Sequence, residues 1–445
     1  MQKVLVIGLG LSGKAAAEYL LTGGYEVFGF DDKLACQNDP EIKITLVDQN
    51  DLSFLEECAF VVVSPGVPRN HFLCKKAEEL SLEIIGEAEL GFRILHKNYP
   101  KQKCIAITGT NGKTTVTLLA EHILRYCGIK ARALGNIGTP FTSYLQNVDS
   151  EEILVCELSS YQLETMTCPV FDSAVIVNIT PDHLDRYATM EEYAKSKTYV
   201  HRCLKKEGIL FVYENCLRDF PKLFEKMNTI TYGVSTSSHF STDKKFLYRH
   251  ANPFCILPES FEKLGIHESE NALAAWCVVS IFGISPDDFI SGLSTFTKPS
   301  HRIEFVKTID EVAYYDDSKG TNVDAVIQAV KAMQGPVVLI AGGVNKGFPF
   351  TIWKESFMGK VKYVISIGET AHLISQELGD EFAVSIASSL EEAVEKASSI
   401  ASKGDCVLLS PGCSSFDMFR DYKHRGQEFK RCVADLENRS KNYES

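Results

Sequence analysis

The chain has 445 residues and a formal net charge of −12 at pH 7. This length corresponds to roughly two to four domains, and the negative charge disfavours a general nucleic-acid-binding or acidic-membrane surface. The fourteen cysteines have no framework spacing, which predicts reduced, mostly buried thiols. No segment has the pattern of a signal peptide or a membrane-spanning helix, so we expect a soluble, cytoplasmic, multidomain protein.

Short apolar strands alternate with amphipathic helical patterns along the whole chain, which predicts α/β architecture with largely parallel sheets. The pattern divides into three blocks, residues 1–93, 94–297 and 298–445. The clearest predicted strands lie near residues 4–7, 26–30 and 59–64 in the first block, 104–107, 153–156 and 174–178 in the second, and 312–315, 337–341, 361–367 and 406–410 in the third.

The first block carries the glycine string GLGLSG at 8–13 directly after its first strand, and Asp31 and Asp32 end the next strand. This arrangement is typical of a dinucleotide-binding turn, in which an acidic residue binds the ribose. The same turn suits any pyrophosphate at a helix N-terminus, so NAD and other diphosphates both fit. The string SPGVP at 64–68 ends the third strand on the same side.

The second block opens with TGTNGKTT at 108–115, between a buried strand and an amphipathic helix. Backbone N–H groups at such a helix start converge on an anion, and the helix dipole favours negative charge there. Lys113 would reach the outer phosphates and the Thr114 hydroxyl would hold Mg²⁺, which predicts a bound nucleoside triphosphate. The loop is shorter than the usual P-loop, because Ile107 stands where that pattern has its first glycine.

Two further strand ends in the second block carry polar residues, Glu157 after one strand and His183 after the next. Ligands of parallel sheets bind beyond the carboxyl ends of the strands. If these strands are neighbours, Glu157 and His183 converge on the triphosphate and fix one or two divalent cations with Thr114. Each residue alone has an ordinary structural explanation, as a helix-start carboxylate or a hydrogen-bonded imidazole.

Lys197 falls in the apolar stripe of a helix, together with Tyr193 and Val200. A lysine on such a stripe seldom lacks a partner or a function, but a stem that packs while its amine reaches water fits the spacing equally well. Mg²⁺ would repel a cationic amine. A metal-site role therefore requires reaction with CO₂ to a carbamate, which replaces the positive charge by a negative one.

Polar strings follow three strands of the third block: DDSKGTN at 316–322, GGVNKG at 342–347 and SPGCSSFD at 410–417. Each is an ordinary turn by itself. Because all three lie at the carboxyl edge of one predicted sheet, together they predict a second-substrate site. Arg302 lies at the preceding linker, where a guanidinium would reach a nucleotide across a cleft.

As a set, these strings resemble the Mur ligases, the ATP-dependent amide-forming enzymes of peptidoglycan precursor assembly. The resemblance covers nearly the full chain and includes GNIG at 135–138, ELSSYQLE at 157–164 and HRIE at 301–304. Asn-Gly-Lys in the phosphate loop argues against the alanine-adding member. ELSSYQLE argues against the members that add diamino acids or dipeptides.

The resemblance implies a Rossmann-like UDP-binding domain at 1–93, a central P-loop ATPase-like domain at 94–297 and a mobile Rossmann-like amino-acid-binding domain at 298–445. It implies a carboxylate–amine ligase that adds D-glutamate to UDP-N-acetylmuramoyl-L-alanine through an acyl phosphate. ATP and two Mg²⁺ ions are the expected cofactors. The expected state is a cytoplasmic monomer without a nucleic-acid or membrane partner.

By the same resemblance, the site residues fall into four groups. Catalysis involves Lys113, His183 and Lys197, the last as its carbamate. ATP is bound by Gly109, Thr110, Asn111, Gly112, Lys113, Thr114, Thr115, Val116, Asn271, Arg302 and Asp317. Mg²⁺ is held by Thr114, Glu157, His183 and Lys197. The UDP-linked substrate contacts Leu11, Ser12, Asp32, Lys33, Ser64, Asn136 and Ser159, and D-glutamate contacts Lys319, Thr321, Lys346, Ser415, Phe416 and Tyr422.

Two positions depart from the family pattern. Glu268 follows His267 where the family commonly has an asparagine, and this places a carboxylate near the ATP contact Asn271. Lys33 stands where an arginine is usual, which weakens planar recognition of uracil or phosphate.

Three other functions fit parts of the sequence. The first block alone fits an NAD-dependent oxidoreductase. The phosphate loop alone fits a nucleotide switch without covalent chemistry. Within the ligases, a folylpolyglutamate synthetase is the nearest alternative, and the UDP-type first block disfavours it.

Overall fold

The structure, a computed structural model, describes residues 1–31, 44–47, 52–137, 139–184, 186–263 and 265–443. Asp32 and Lys33, two of the predicted substrate contacts, lie outside the described residues, as do Gly138 and Asp185 of the quoted strings. The chain divides into two compact units. The first comprises Met1–Ile179, Glu191–Glu259 and Ile266–Phe296, and the second comprises Thr180–Met190, Ser260–Gly265 and Thr297–Ser445.

A five-stranded parallel sheet forms the N-terminal part of the first unit. Its elements are β1 (Lys3–Ile7), α1 (Leu11–Thr22), β2 (Glu26–Phe30), β3 (Thr45–Leu46), a 3₁₀ turn (Ser53–Glu57), β4 (Cys58–Val63), α2 (Phe72–Glu79), β5 (Glu83–Gly86) and α3 (Glu87–Asn98). The strand order is β3-β2-β1-β4-β5. Val4 and Val6 pack on the side of α1, whereas Leu5 and Ile7 pack on the side of α2. Strand β1 is therefore apolar throughout its buried length, as a strand covered on both faces requires.

A nine-stranded sheet forms the rest of the first unit, in the order β14-β13-β12-β11-β10-β9-β6-β8-β7. All neighbouring strands are parallel except the pairs β12–β13 and β13–β14, which form an antiparallel extension at one edge. Its elements are β6 (Lys103–Thr108), α4 (Lys113–Tyr126), β7 (Ala131–Gly135), α5 (Phe141–Tyr144), β8 (Ile153–Glu157), α6 (Ser160–Glu164), β9 (Phe171–Ile176), α7 (Met190–Thr198), a 3₁₀ turn (Tyr199–Cys203), β10 (Leu204–Tyr213), α8 (Glu214–Asp219), α9 (Pro221–Phe224), β11 (Thr229–Gly233), β12 (Phe240–Thr242), β13 (Phe246–Arg249), β14 (Asn252–Ile256), α10 (Ile266–Val279), a 3₁₀ turn (Ser280–Phe282) and α11 (Pro286–Thr295). Between β14 and α10 the chain forms a 3₁₀ turn (Glu259–Lys263), of which all but the first residue belongs to the second unit.

A six-stranded sheet forms the second unit, in the order β15-β16-β20-β17-β18-β19. Its first strand is antiparallel to the second and the others are parallel. Its elements are β15 (Glu304–Ile309), β16 (Val312–Asp316), α12 (Val323–Ala332), β17 (Val337–Gly342), a 3₁₀ turn (Phe350–Ile352), α13 (Trp353–Phe357), β18 (Val361–Ile367), α14 (Ala371–Leu378), β19 (Val384–Ile386), α15 (Leu390–Ile400), β20 (Cys406–Leu409) and α16 (Tyr422–Tyr443).

The predicted α/β class is confirmed, and every strand predicted from the sequence is present to within a few residues. The strand expected near 174–178 begins earlier, at Phe171, because Asp172 interrupts the apolar run without ending the pairing. The domain boundaries at 93 and 297 stay predictions, and α3 runs across the first of them. Among the described residues, no helix is both long and apolar enough to cross a bilayer.

The cysteines are buried as the sequence predicts. Thirteen of the fourteen are described, all thirteen are free, and only Cys127 is not buried. Burial raises the pKa of the Cys104 and Cys156 thiols, so these side chains stay protonated in the core.

Two buried carboxylates of α3 fix the first sheet to the second. Glu87 Oε1 accepts hydrogen bonds from the backbone N–H and the hydroxyl of Thr142, both at 2.7 Å. Glu89 is fully buried and accepts from the backbone N–H and hydroxyl of Thr167, both at 2.8 Å, and from Cys168 N at 3.1 Å. Backbone and hydroxyl donors therefore satisfy both oxygens of the Glu89 carboxylate and one oxygen of Glu87, which offsets part of the cost of burying them.

We expect Glu89→Ala to lower the free energy of unfolding by about 3 kcal/mol, because it leaves buried N–H groups without an acceptor. The urea midpoint measures this loss. Glu83→Ala is the matched control, since Glu83 shares the partner Arg93 but its side chain is 55% exposed. The control change is expected to stay below about 1 kcal/mol. Equal losses in the two variants would contradict the anchoring role of Glu89.

Candidate active site

The phosphate loop has the geometry of an anion site. Strand β6 ends at Thr108 and helix α4 begins at Lys113. Gly109 and Gly112 between them have φ of +147° and +82°, the left-handed region that favours glycine. The N-cap residue, Gly112, has no side chain with which to cap α4. Its first turn can therefore receive the negative charge of a phosphate, as the sequence predicts.

Asn178, which follows β9, holds this loop in shape. Its Oδ1 accepts hydrogen bonds from Asn111 N at 2.8 Å and Thr110 N at 3.2 Å, and its Nδ2 donates to Asn111 O at 3.0 Å. The Tyr193 hydroxyl lies 3.1 Å from Thr110 Oγ1. Neither Asn178 nor Tyr193 has a role predicted from the sequence, although the string NITPDHLD, which Asn178 opens at a strand end, carries a signal.

Glu157 lies beside this loop because β8, β6 and β9 are neighbours, which confirms the strand adjacency that the metal-site hypothesis required. Its carboxylate is 1% exposed, and Oε1 accepts a hydrogen bond from Asn136 Nδ2 at 2.8 Å. Within the described part of the chain, the buried Oε2 has no hydrogen-bond partner. A buried carboxylate oxygen without a donor fits a cation ligand, since hard cations take oxygen ligands.

Lys197 is buried against the same loop. It is 1% exposed, its Nζ donates to Gly109 O at 2.8 Å, and the amine lies 4.4 Å from the centroid of the Tyr193 ring. The alternative in which its amine reaches water is therefore wrong, because the helix directs the whole side chain inward. Lys113 Nζ donates to the same Gly109 carbonyl at 2.9 Å and to Thr110 O at 2.7 Å. Two lysine amines thus share one acceptor.

Helix α10 brings Asn271 to the loop, and its contact with ATP stays a prediction. A Cβ atom built on Gly112 would lie 2.5 Å from Asn271 Oδ1, so only glycine leaves room for this amide. At the start of the same helix, His267 Nε2 lies 3.2 Å from Glu268 Oε1. The carboxylate that departs from the family pattern is therefore accompanied by an imidazole.

In the N-terminal part, the glycine turn is tied to the ends of two neighbouring strands. Gly8 has φ of +83°, Ser64 Oγ donates to Gly8 O at 2.6 Å, and Leu9 N donates to Asp31 Oδ2 at 2.7 Å. Leu11 is 70% exposed at the start of α1, where a ligand would reach it. Ser159 has a structural role as well, since it caps α6 through a reciprocal capping box with Gln162.

His183 belongs to the second unit, where it has φ of +57° and follows the buried Asp182. Asp182 Oδ2 accepts a hydrogen bond from Asn322 Nδ2 at 3.1 Å, and its Oδ1 accepts one from Lys346 Nζ at 3.3 Å. Lys346 Nζ also lies 3.5 Å from Thr321 Oγ1. Two predicted amino-acid contacts, Lys346 and Thr321, are thus brought together around a carboxylate that sequence reasoning missed. The convergence of His183 with Glu157 stays a prediction.

Asp317, the predicted ATP contact of the second unit, is buried. Its Oδ2 accepts a hydrogen bond from Ser410 Oγ at 2.7 Å, and its Oδ1 accepts one from Ile303 N at 3.2 Å. Burial raises the pKa of Asp317 to about 7, and the Ser410 hydrogen bond and the charge of Arg302 only partly oppose this rise.

Arg425, which sequence reasoning missed, joins the loops that carry the predicted amino-acid contacts. Its guanidinium is 1% exposed and donates to Ser318 O at 2.9 Å and to Cys413 O at 3.2 Å. Burial lowers the pKa of Arg425 to about 10. Near it, Lys319 Nζ lies 4.0 Å from the centroid of the Tyr422 ring.

Two adjacent predicted contacts differ sharply in exposure. Ser415 is 3% exposed, whereas the side chain of Phe416 is 74% exposed. Single exposed apolar side chains are common on protein surfaces, so the contact of Phe416 with D-glutamate stays a prediction.

The fold and the glycine-rich helix start define a nucleotide-binding α/β protein, and comparison with known proteins places it more narrowly. Three family models match consecutive segments: the Mur ligase MurD-like N-terminal domain at residues 2–86, the Mur ligase middle domain at 107–279 and the Mur ligase glutamate ligase domain at 301–413. The chain belongs to the Mur ligase family, whose members are ATP-dependent, amide-bond-forming ligases of peptidoglycan precursor synthesis.

Two relatives share a name and align over almost their whole length. The UDP-N-acetylmuramoylalanine--D-glutamate ligase of Protochlamydia amoebophila is 49% identical over 97% of this chain and 98% of that protein. The ligase of the same name from a Thermoanaerobacter species is 38% identical over 98% of each. The MurD-like match over the first domain disfavours the NAD-dependent oxidoreductase and the folylpolyglutamate synthetase alternatives.

Solved structures share the fold. MurC from Thermotoga maritima is 16% identical, with a TM-score of 0.60 over 98% of this chain and 100% of that chain. MurF from Acinetobacter baumannii is 16% identical, with a TM-score of 0.62 over 86% and 85%. MurF from Thermotoga maritima, in complex with ADP, is 16% identical, with a TM-score of 0.60 over 86% and 92%.

Protonated Asp317 makes stability depend on pH. As pH rises from about 4 to about 7, the unfolded chain loses this proton while the folded protein keeps it, so the free energy of unfolding falls across that window and then stays lower. Asp317→Asn lacks this contribution. Urea titrations at several pH values are expected to show the wild type losing a few kcal/mol relative to Asp317→Asn between about pH 4 and 7.

The matched control is Asp310→Asn, because Asp310 is exposed on the turn before β16. Its stability difference from the wild type is expected to stay flat over the same pH range. A flat difference for Asp317→Asn as well would contradict a buried, proton-retaining Asp317.

Proposed function

We propose that this protein joins the amine of D-glutamate to the carboxyl group of UDP-N-acetylmuramoyl-L-alanine in the cytoplasm, at the expense of ATP. The observation that carries the proposal is the 49% identity, over nearly the whole of both chains, to a ligase named for that reaction. The uncapped start of α4 beside the buried Glu157 supports it, since both suit a nucleoside triphosphate with its cation.

The proposed chemistry solves a leaving-group problem. An amine does not displace oxide from a carboxylate, so the γ-phosphoryl group is first transferred to the L-alanyl carboxylate, which gives an acyl phosphate and ADP. The amine then attacks the acyl carbon, and the tetrahedral intermediate expels phosphate to leave the amide. Lys113 and the N–H groups at the start of α4 stabilise charge on the transferred group. Exclusion of water protects the acyl phosphate.

Two Mg²⁺ ions would be held by Thr114, Glu157 and a carbamate on Lys197 in the first unit, together with His183 of the second unit. This assignment is supported by Glu157 Oε2, which is buried and has no hydrogen-bond partner among the described residues. When bound, Mg²⁺ neutralises negative charge on the triphosphate.

For the carbamate, the neutral amine of Lys197 forms a bond to the carbon of CO₂ and loses one proton, which leaves one negative charge. Lys197 is buried, and its amine shares the Gly109 carbonyl oxygen with the amine of Lys113.

The remaining assignments complete the proposed site. Asn271, Arg302 and Asp317 contact the rest of ATP. The UDP-linked substrate lies at the glycine turn of the first domain, and the protein acts as a monomer whose third domain moves as a lid. The proposed UDP-substrate contacts are Leu11, Ser12, Asp32, Lys33, Ser64, Asn136 and Ser159, and the proposed D-glutamate contacts are Lys319, Thr321, Lys346, Ser415, Phe416 and Tyr422.

The proposed function is tested by phosphate release from ATP, measured with and without UDP-N-acetylmuramoyl-L-alanine and with a panel of D- and L-amino acids. We expect release only when both the sugar peptide and D-glutamate are present. Equal stimulation by L-glutamate, or by a folate in place of the sugar peptide, would overturn the proposal.

Lys113→Ala is expected to reduce phosphate release by about 10²- to 10³-fold or more, because it removes the cation that faces the outer phosphates. The steady-state rate at saturating ATP measures the loss. Lys354→Ala is a suitable control, since this lysine forms only surface ion pairs with Asp380 and Glu381 among the described residues. Near-normal turnover in Lys113→Ala would remove the phosphate-loop assignment.

Lys197→Ala is expected to lose activity and to regain part of it when a short carboxylic acid is added to the buffer, because the acid replaces the carbamate oxygens. Lys195→Ala is the matched control, as Lys195 lies on the same helix and is exposed. Lys195→Ala is expected to release phosphate at the wild-type rate, with or without the added acid. Full activity of Lys197→Ala without rescue would remove Lys197 from the metal site.

A further inference from the structure

A cavity of about 480 Å³ lies in the first unit, under the edge of the nine-stranded sheet that is remote from β8. Phe211, Ile230 and Phe240 line it from the strands, and Trp276 and Ile281 line it from the helical side. Its volume lies within the range of small-molecule pockets, and its walls are largely apolar, as the walls of such pockets are.

Strand register explains why these side chains meet on one face. Phe211 pairs with Ile230 across β10 and β11, and Phe240 pairs with Arg249 across β12 and β13. Directly paired residues project from the same face of a sheet. The guanidinium of Arg249 therefore belongs to the same face as the apolar side chains, and Arg249 also lines the cavity.

The polar groups of the cavity are donors. Arg249 is exposed, its Cζ lies 5.9 Å from the centroid of the Phe240 ring, and it forms no ion pair with any described carboxylate. Trp276 is 7% exposed, and its indole Nε1 has no hydrogen-bond partner in the part of the chain that the structure describes. The one hydroxyl in the lining, that of Ser280, donates to Cys277 O at 3.2 Å.

The cavity is separate from the phosphate loop. The loop follows β6 at the carboxyl edge of the sheet, whereas the cavity lies under β10 to β13. Helix α10 spans both places. Its Asn271 packs on Gly112, and its Trp276 forms a wall of the cavity.

We propose that this cavity is a second ligand site, which binds a small organic anion with an aromatic or branched aliphatic body. The apolar walls would receive the body, and the guanidinium of Arg249, which has no ion pair among the described residues, would receive the carboxylate or sulfonate. Neither ATP nor D-glutamate meets this description, because ATP carries a highly charged triphosphate and D-glutamate has no aromatic or branched aliphatic body. The site is independent of the proposed ligase function.

Two fluorescent probes of nearly equal shape separate the apolar part from the charge. 8-Anilinonaphthalene-1-sulfonate carries the anion, and N-phenyl-1-naphthylamine is its neutral counterpart. Titrations of the full chain at saturating ATP are expected to show saturable binding of both probes, with energy transfer from tryptophan. Loss of probe binding at saturating ATP would overturn the proposal, because it would mean that the probes compete with ATP for the nucleotide site.

Variants assign the binding to this cavity. Arg249→Gln is expected to weaken the anionic probe about fivefold and to leave the neutral probe unchanged. Lys245→Gln, which removes a nearby exposed charge outside the lining, is expected to change neither. Ile281→Glu introduces a carboxylate at a side chain that is 36% exposed, so the fold is preserved and the anionic probe is expected to be lost.

Phosphate release by Ile281→Glu at the wild-type rate is the expected sign that the variant is folded. Wild-type affinity for the anionic probe in both Arg249→Gln and Ile281→Glu would overturn the proposal. Equal weakening of the two probes by Arg249→Gln would also overturn it, because the guanidinium would then act through packing and not through its charge.

Discussion

The nucleotide site depends on the side-by-side pairing of β8, β6 and β9. Their parallel register places the phosphate loop between the end of one neighbour, which carries Glu157, and the end of the other, which carries Asn178. The Asn178 side chain forms hydrogen bonds with the backbone N–H and C=O of Asn111 in the loop. Glu157 Oε2 has no hydrogen-bond partner among the described residues. A shift of one residue in either strand pairing would move these side chains to the opposite face of the sheet, away from the phosphate loop.

The second unit buries several charged side chains. Arg425 is held by carbonyl oxygens of two loops, and Asp182 is held by an amide and a lysine. Asp317 receives too few donors to stay fully ionised at neutral pH. Buried polar networks of this kind position loops more than they stabilise the fold, because the desolvation cost offsets much of the attraction.

Much of the fold was accessible from the sequence, because buried parallel strands are continuous apolar runs and the helices between them are amphipathic. The phosphate loop was accessible for the same reason, since its glycines and Lys113 form one local string. The burial of Lys197 could not be decided from the sequence, because helical spacing shows which face of the helix a residue lies on but not how deeply its side chain is buried. Asn178, Asp182 and Arg425 were missed since their partners lie far away in the chain, and only folding brings them together.

The shared acceptor at Gly109 has a consequence for selectivity. Lys113 Nζ donates to the carbonyl oxygens of Gly109 and Thr110, so an anion that takes this amine as a partner competes with two backbone acceptors. A single phosphate offers few oxygens for that competition, whereas a triphosphate offers several along the same loop. We therefore expect the contacts of this lysine to favour anions with several phosphate groups over inorganic phosphate.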